Sequence, residues 1–239
     1  MHEEISPLRV VHSKNWVENE EKSVLHGNPI SNIDPNGDTV KIQVTNNVFG
    51  TTKINLFSSS EVAGGVTQET KEVDVYEVTV GNESGSSATF YFTREGYRKD
   101  AENPEDAAED VSFDVQNDGD SFQGKIKSRW SGTNNVLELR DLDNINDQNI
   151  EAMKAGEDAT RTAIQFHLKG ATDGCQLCVG SGQFTSTADG VTIDNTNLES
   201  NSGGSQSNFM QKIKDFRTED TNAGHSNFIK VTFDKMNNE

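Results

Sequence analysis

The fold of this 239-residue chain is decided by the stretch TVKIQVTNNVFGTTKINLF, residues Thr39 to Phe57. Apolar and polar residues alternate from Val40 to Val44, which is the two-residue period of a strand with one buried face. Asn46 and Asn47 are residues that turns favour, and the alternation resumes at Ile54. The pattern predicts a β-hairpin whose turn carries the asparagines.

The same alternation returns along the rest of the chain, at intervals of about ten residues and with Gly and Asn between. This spacing predicts a mainly β fold, an antiparallel β-sandwich or barrel with long loops. Near Tyr76–Glu77 the apolar phase changes, which predicts a bulge or a strand buried on both faces. The predicted strands after the hairpin are Val73–Val80, Ala88–Phe92, Val111–Val115, Phe122–Trp130, Val136–Leu139, Ile164–Leu168, Val191–Ile193 and Ile229–Phe233.

Two or three short peripheral helices are expected beside the strands. The first follows Pro104, where early carboxylates suit a helix N-terminus. The second is the window Asp141–Thr162, whose apolar residues are sparse and predict a surface helix. The third is Asn208–Phe216, where Phe209, Ile213 and Phe216 follow the spacing i, i+4, i+7.

The domain organisation is predicted as an arm followed by one domain. Residues 1–37 carry one weak strand, Leu8–Val11, and end at the turn Asp34–Asp38, so we expect an extended N-terminal arm. Residues 38–239 show no clear linker and are expected to form a single elaborated β domain. A subdivision near residue 140 is the alternative.

The charge of the chain limits its partners. It has 39 acidic and 21 basic side chains, a net charge of -18 and a mean hydropathy of -0.72. A chain this acidic is repelled by a phosphate backbone and by an anionic membrane surface, so we expect no direct nucleic acid and no membrane partner. The charge is typical of a highly solvated surface, and the alternative is an acidic face for a basic partner or for cations.

Targeting signals are not apparent in the sequence. The chain opens with Met1-His2-Glu3-Glu4 and shows no secretory pattern, and no apolar run approaches the roughly 18 residues of a membrane span. We therefore expect synthesis in the host cytoplasm without a signal peptide.

Cys175 and Cys178 are the two cysteines of the chain, and their spacing is that of half a zinc site. A structural zinc site needs four ligands, and the five histidines are scattered, with His167 the nearest. The flanking residues indicate a loop and a strand, where a redox motif requires a helix start. We expect two buried or semi-buried thiols in a short strand, no metal and no cofactor, with Cys175 and Cys178 as weak metal candidates.

The sequence offers two further candidate metal sites. The segment Asp141–Asp147 resembles a calcium loop but lacks the oxygen ligand and glycine that an EF-hand needs at its fifth and sixth positions. Asp114, Asp118 and Asp120 are candidates for a weak surface calcium site, and a solvated acidic loop is favoured over it. No nucleophile elbow or phosphate loop occurs, so the chain is not expected to be an enzyme.

The segment Val44–Asn47 followed by Lys53–Phe57 resembles a short pattern of virion proteins of tailed bacteriophages: a strand, an Asn-rich turn, and a strand ending in Leu-Phe. The chain is also acidic, rich in Asn and poor in Cys, and this composition is similar to that of tailed-phage virion proteins. The resemblance covers about 20 of the 239 residues and implies no catalytic residue.

The resemblance implies a structural component of a virus particle, most simply a capsid-associated, decoration-type protein that acts by protein–protein contacts. Its partners are then other virion proteins, with self-association, and its location is the virion. A tail or tail-tube component is one alternative. The other is a carbohydrate-binding β-sandwich or adhesin, in which Trp16 and Trp130 form the sugar platform, although aromatic residues at such positions are more often core.

Overall fold

The computed structural model is mainly β, as the alternating pattern predicts. It describes residues 40–99, 109–112, 121–128, 135–154, 157–168, 175–193 and 196–234. Only the backbone is described for residues 95–98, 109–112, 151–154, 157–159 and 161.

Thirteen strands and two α-helices lie in these described ranges. The strands are β1 Val40–Asn55, β2 Thr70–Gly81, β3 Ser87–Phe92, β4 Glu95–Arg98, β5 Glu109–Ser112, β6 Ser121–Ser128, β7 Asn135–Arg140, β8 Asn149–Lys154, β9 Glu157–Thr162, β10 Gln165–Leu168, β11 Gln176–Cys178, β12 Phe184–Thr187 and β13 Ile229–Phe233. The helices are α1 Ser59–Ala63 and α2 Ser202–Asn222, with short 3-10 turns at Ser181–Gln183 and Ala188–Gly190.

Eight strands close into a ring by backbone pairing, in the order β1, β13, β6, β7, β10, β11, β3, β2, with β2 returning to β1. The pairs β1–β13 and β10–β11 are parallel, and the other pairs of the ring are antiparallel. Strand β12 pairs with β1 beyond the end of β13, while β4–β5 and β8–β9 form separate two-stranded sheets. The ring is a barrel whose strands come from both sides of residue 140.

The hairpin predicted at Thr39–Phe57 is wrong, because β1 runs through that stretch as one strand of 16 residues. Strand β2 pairs with both halves of β1, from Lys41 opposite Gly81 to Asn55 opposite Thr70. A single long partner of this kind holds the two halves in line, so the chain does not reverse between them.

Asn46 and Asn47 lie in a bulge of β1. Val44 is opposite Val78 and Gly50 is opposite Val75, so six residue steps on β1 match three steps on β2. Tyr76 lies opposite the bulge, so there is an irregularity near Tyr76–Glu77 as predicted, but its extra residues belong to β1 and not to β2. Extra residues bend a strand and raise its twist, and this is how one long strand follows the curve of a barrel.

Arg94 contacts the bulge with a side chain that is 1% exposed. Its Nη1 donates to the carbonyl oxygen of Thr45 at 3.2 Å. Its Cζ lies 5.4 Å from the ring centroid of Tyr76 and 5.5 Å from that of Phe233, within cation–π distance of both. The guanidinium therefore binds a bulge carbonyl and lies over two aromatic rings.

The core of the barrel is an aromatic cluster that includes one residue of α2. The ring of Phe209 lies 5.4 Å from Phe90, 4.8 Å from Phe92 and 5.6 Å from Phe166, measured between centroids. These residues come from α2, β3 and β10 and are fully buried. The helix thus packs on the interior of the ring and joins strands that are far apart in sequence.

The expectation of short peripheral helices is wrong for α2, which has 21 residues and a buried face. The predicted apolar positions Phe209, Ile213 and Phe216 are all buried, so the helical period is confirmed. The helix begins earlier than predicted, at Ser202, where the side chain of Asn201 accepts a hydrogen bond from the backbone N–H of Gly204. Glycines in this first turn weaken the local helix signal, and packing on the core compensates.

The helix predicted over Asp141–Thr162 is also wrong. Strands β8 and β9 form an antiparallel hairpin there, with Ile150 opposite Arg161. Ile150 is 3% exposed and belongs to the main core. Sparse apolar residues favour neither period strongly, so contact with the barrel decides the structure of this window.

Several predicted features lie outside the described residues. They include the arm 1–37 with its strand Leu8–Val11, and the helix after Pro104 apart from Glu109 and Asp110, which belong to β5. In the described part of the chain, neither helix has the length and apolar character needed to cross a membrane.

Replacing Phe209 by Ala should destabilise the fold by about 3–5 kcal/mol, because it removes the ring that touches three other buried rings. Urea denaturation followed by far-ultraviolet circular dichroism measures the loss. The control is Gln211→Ala on the exposed side of the same helix, where we expect a change within about 0.5 kcal/mol. Equal effects of the two changes would contradict the packing described for α2.

Candidate functional site

The sulfur atoms of Cys175 and Cys178 lie in different parts of the structure. Cys178 is fully buried in the main core, opposite Phe92, whereas Cys175 is half-buried against a second apolar cluster that includes Leu177. Burial raises the pKa of the Cys178 thiol, so it stays protonated, and a metal ligand must be a thiolate. The two thiols therefore do not converge on one ion.

The loop Asp141–Asp147 uses its side-chain oxygens within the loop. Asp141 Oδ1 accepts from the backbone N–H of Asp143 at 2.8 Å and of Asn144 at 3.0 Å. Asp147 Oδ1 accepts from the N–H of Asn149 at 2.8 Å. These are Asx turns, which explain why the chain is not helical here.

The remaining candidate residues are distributed as follows. Across the described ranges, no group of three or more His, Cys, Asp or Glu side chains is placed to hold a metal ion. The calcium candidates Asp114, Asp118 and Asp120 and the sugar-platform candidates Trp16 and Trp130 lie outside the residues that the structure describes.

A buried ion network lies on the face of β7 that points away from the main core. Leu137 and Leu139 face the core, so Glu138 between them faces the other way, yet its side chain is fully buried. Its carboxylate pairs with Arg140 Nη2, accepts from Lys127 Nζ at 2.9 and 3.1 Å, and accepts from Gln165 Nε2 at 2.8 Å. One carboxylate thus links β6, β7 and β10.

The sequence offers little sign of this network. The alternation of Val136–Leu139 predicts the strand, but it places Glu138 on the polar face, where a carboxylate is ordinarily solvated. The loop after β7 covers the site, since the carbonyl oxygen of Asn146 accepts from Arg140 Nη1 at 3.3 Å. Burial of the acid is therefore a property of the assembled fold.

Replacing Glu138 by Gln should lower the free energy of unfolding by about 3 kcal/mol, because it leaves the Arg140 cation buried without its carboxylate. Chemical denaturation measures the change. The matched control is Glu69→Gln, which removes the exposed ion pair with Lys99 and should cost between about 0 and 1 kcal/mol. A cost for Glu138→Gln no larger than the control would show that the network does not stabilise the fold.

An acidic cluster lies where the C-terminal end of α2 meets the loop after β2. Asp220 is 1% exposed there, close to Glu83 and Glu219. Asn82 Nδ2 donates to Glu219 Oε2 at 2.8 Å, and Lys41 Nζ lies 2.6 Å from Glu83 Oε1. Burial raises the pKa of Asp220, the charges of the two glutamates raise it further, and the Glu83 N–H and His225 act in the opposite direction.

Because the folded-state pKa of Asp220 is raised, the folded protein holds its proton where the unfolded chain has lost it. Stability from this group is therefore present at low pH and falls as the pH rises from the ordinary aspartate pKa to the raised one. Asp220→Asn should unfold at a higher denaturant concentration than the wild type near neutral pH, and the difference should vanish below about pH 4.

Denaturation curves across this pH range test the prediction, with the exposed Asp215→Asn as the matched change of charge on the same helix. If Asp220→Asn were less stable than the wild type near neutral pH, the ionised carboxylate would be making favourable hydrogen bonds and our account would be wrong.

A groove with basic residues lies along the second half of α2. One cavity of about 300 Å³ is lined by Lys214, Arg217, Thr218, Thr221, Asn222 and Asn227. A second, of about 360 Å³, shares Arg217 and Asn227 and extends to β6 and to Phe228 before β13. We call the two cavities together the α2 groove.

Arg217 is the central cation of the α2 groove. Its Nε is buried and has no hydrogen-bond partner, and Arg217 makes no ion pair with any described residue. Burial lowers the pKa of its guanidinium. Lys214 lies three residues earlier, on the same side of the helix. The spacing is visible in the sequence, but only the fold shows that the arginine is partly desolvated.

The fold and these sites define a closed, helix-packed β-barrel with a buried ion network and a basic groove. No family model, curated protein or solved structure matches the chain.

Proposed function

We propose that this chain is a structural protein of a virus particle, of the capsid-associated or decoration type. The resemblance to tailed-phage virion proteins is one of sequence and lies in Val44–Phe57, which is a bulged part of β1 and the residues after it, not the strand, turn and strand of the expected pattern. Strand β1 pairs with β2 along one edge and with β13 and β12 along the other. The resembling segment is thus central to the barrel.

The observation that best supports a structural role is the filled barrel interior. A ring of eight strands is just wide enough for side chains or for one small ligand. Here Phe90, Phe92, Phe166, Phe209 and Phe233 are fully buried in that core, and α2 packs on it. A barrel packed in this way favours a rigid body that presents surfaces to neighbours over a carrier of an enclosed ligand.

The position where the barrel begins supports attachment through the N-terminal segment. Residues 1–37 are the predicted arm, and the chain then enters β1 at Val40, which is fully buried. The N–H of Val40 donates to the carbonyl oxygen of Phe228 at 3.1 Å, just before β13. A force on the arm would be transmitted directly to β1, which pairs with three other strands. An attachment point requires such support.

The net charge of -18 fits a role on the outside of a particle. Like charges keep decorated particles apart in solution and disfavour contact with nucleic acid. A tail component would carry the same kind of acidic surface. The capsid and tail positions differ in the virion proteins that surround the chain.

The proposal predicts that the full-length chain bands with particles from the source culture in a density gradient, at a fixed ratio to the major capsid protein. Quantitative mass spectrometry of the gradient fractions measures the ratio, with an abundant cytoplasmic enzyme as the control for carry-over. Antibody labelling in electron microscopy then separates head from tail. A chain found only with the unassembled proteins at the top of the gradient would overturn the proposal.

A further inference from the structure

We propose that the α2 groove is a binding site for a small oxyanion, a phosphate or a carboxylate, held by Lys214 and Arg217. The proposal rests on the residues of the groove and is independent of the role in a virus particle. It concerns an anion site in a protein whose overall charge is strongly negative.

The first support is the state of Arg217. Its Nε is buried without an acceptor, and no described carboxylate forms an ion pair with it. A partly desolvated guanidinium has lost hydration that a counter-ion would replace, so binding an anion here recovers part of a cost that the fold already bears. The lowered pKa of Arg217 has the same cause, burial.

The second support is the composition of the wall. Among the described residues of the first cavity, two are cations, four are neutral and polar, and none is acidic. The hydroxyls of Thr218 and Thr221 donate to the carbonyl oxygens of Lys214 and Arg217, at 2.8 and 2.7 Å. The hydroxyl hydrogens are therefore used within the helix, and the amides of Asn222 and Asn227 are the neutral donors that line the cavity.

Lys125 also lines the second cavity, but we do not assign it to the anion. It stands directly opposite Glu138 across the β6–β7 pair, and paired residues share a face of the sheet. The positive charge of Lys125 is therefore already close to a buried carboxylate, whereas Lys214 and Arg217 have no acidic residue beside them in the described wall.

The shape of the donors indicates the class of ligand. A guanidinium presents parallel N–H groups that match two oxygens of a carboxylate or phosphate, and a lysine ammonium adds a point charge. A cavity of about 300 Å³ admits inorganic phosphate or a short dicarboxylate such as succinate.

The test is a titration of the full-length chain with inorganic phosphate and, separately, with succinate, followed by the NMR signal of the Arg217 Nε–H. We expect a saturable shift with at least one of the two anions. Chloride at the same ionic strength should produce no such shift, because screening alone does not occupy the groove. A response to one anion and not to the other identifies which oxyanion the groove takes.

Arg217→Gln and Lys214→Gln should each weaken the affinity about tenfold or more, the usual effect of losing a charge-assisted hydrogen bond. For Arg217→Gln, backbone amide signals of the groove replace the lost side-chain signal. The matched control is Lys53→Gln, the same change of charge at an exposed position of β1, which should bind as the wild type does.

Melting curves of each variant check that the fold is kept, and Lys214→Gln gives a second test if Arg217→Gln is unstable. The inference is overturned if neither anion shifts the Arg217 signal, or if both groove variants bind as tightly as Lys53→Gln. Neither result bears on whether the chain bands with particles, so the two proposals fail separately.

Discussion

The contact between Phe209 and three rings of the barrel is the interaction on which the rest of this structure depends. Phe90 and Phe92 belong to β3 and Phe166 to β10, and the sheet between them includes only three residues of β11. Pairing of β11 with β3 is limited to a single register position, Cys178 opposite Phe92. The helix therefore packs across the part of the ring where the strand pairing has the fewest register positions.

Hydrogen bonds from the same helix reinforce this closure. Gln206 Nε2 donates to the carbonyl oxygen of Phe166 at 3.1 Å and to that of Asn135 at 3.3 Å, which ties α2 to β10 and β7. This buried amide donates to backbone carbonyls on two strands. It therefore fixes the position of the helix and also strengthens its attachment to the core. Apolar packing holds the helix, and these polar contacts set its register.

Arg94 and Glu138 differ from Arg217 in the partners that the fold gives them. Arg94 and Glu138 have partners within the fold: Arg94 Nη1 binds a bulge carbonyl and its guanidinium lies over two rings, and the carboxylate of Glu138 binds two cations and an amide. Arg217 makes no ion pair with a described residue. Arg94 and Glu138 stabilise the architecture through these partners. A ligand gains most free energy by binding a group such as Arg217, whose charge has no described partner of opposite sign.

The sequence by itself determined the β class, the net charge and the buried stripe of Phe209, Ile213 and Phe216. These three properties depend on the local spacing of apolar residues or on composition, and tertiary contacts change neither of them. Long-range pairing decided the rest. The tertiary structure made Thr39–Phe57 a bulged strand instead of a hairpin, since β2 spans both its halves, and it turned Asp141–Thr162 from a predicted helix into β8 and β9. Burial of Glu138 and desolvation of Arg217 likewise appear only once β6, β7 and α2 are packed, because solvent exclusion is a property of the assembled surfaces and leaves no local mark in the sequence.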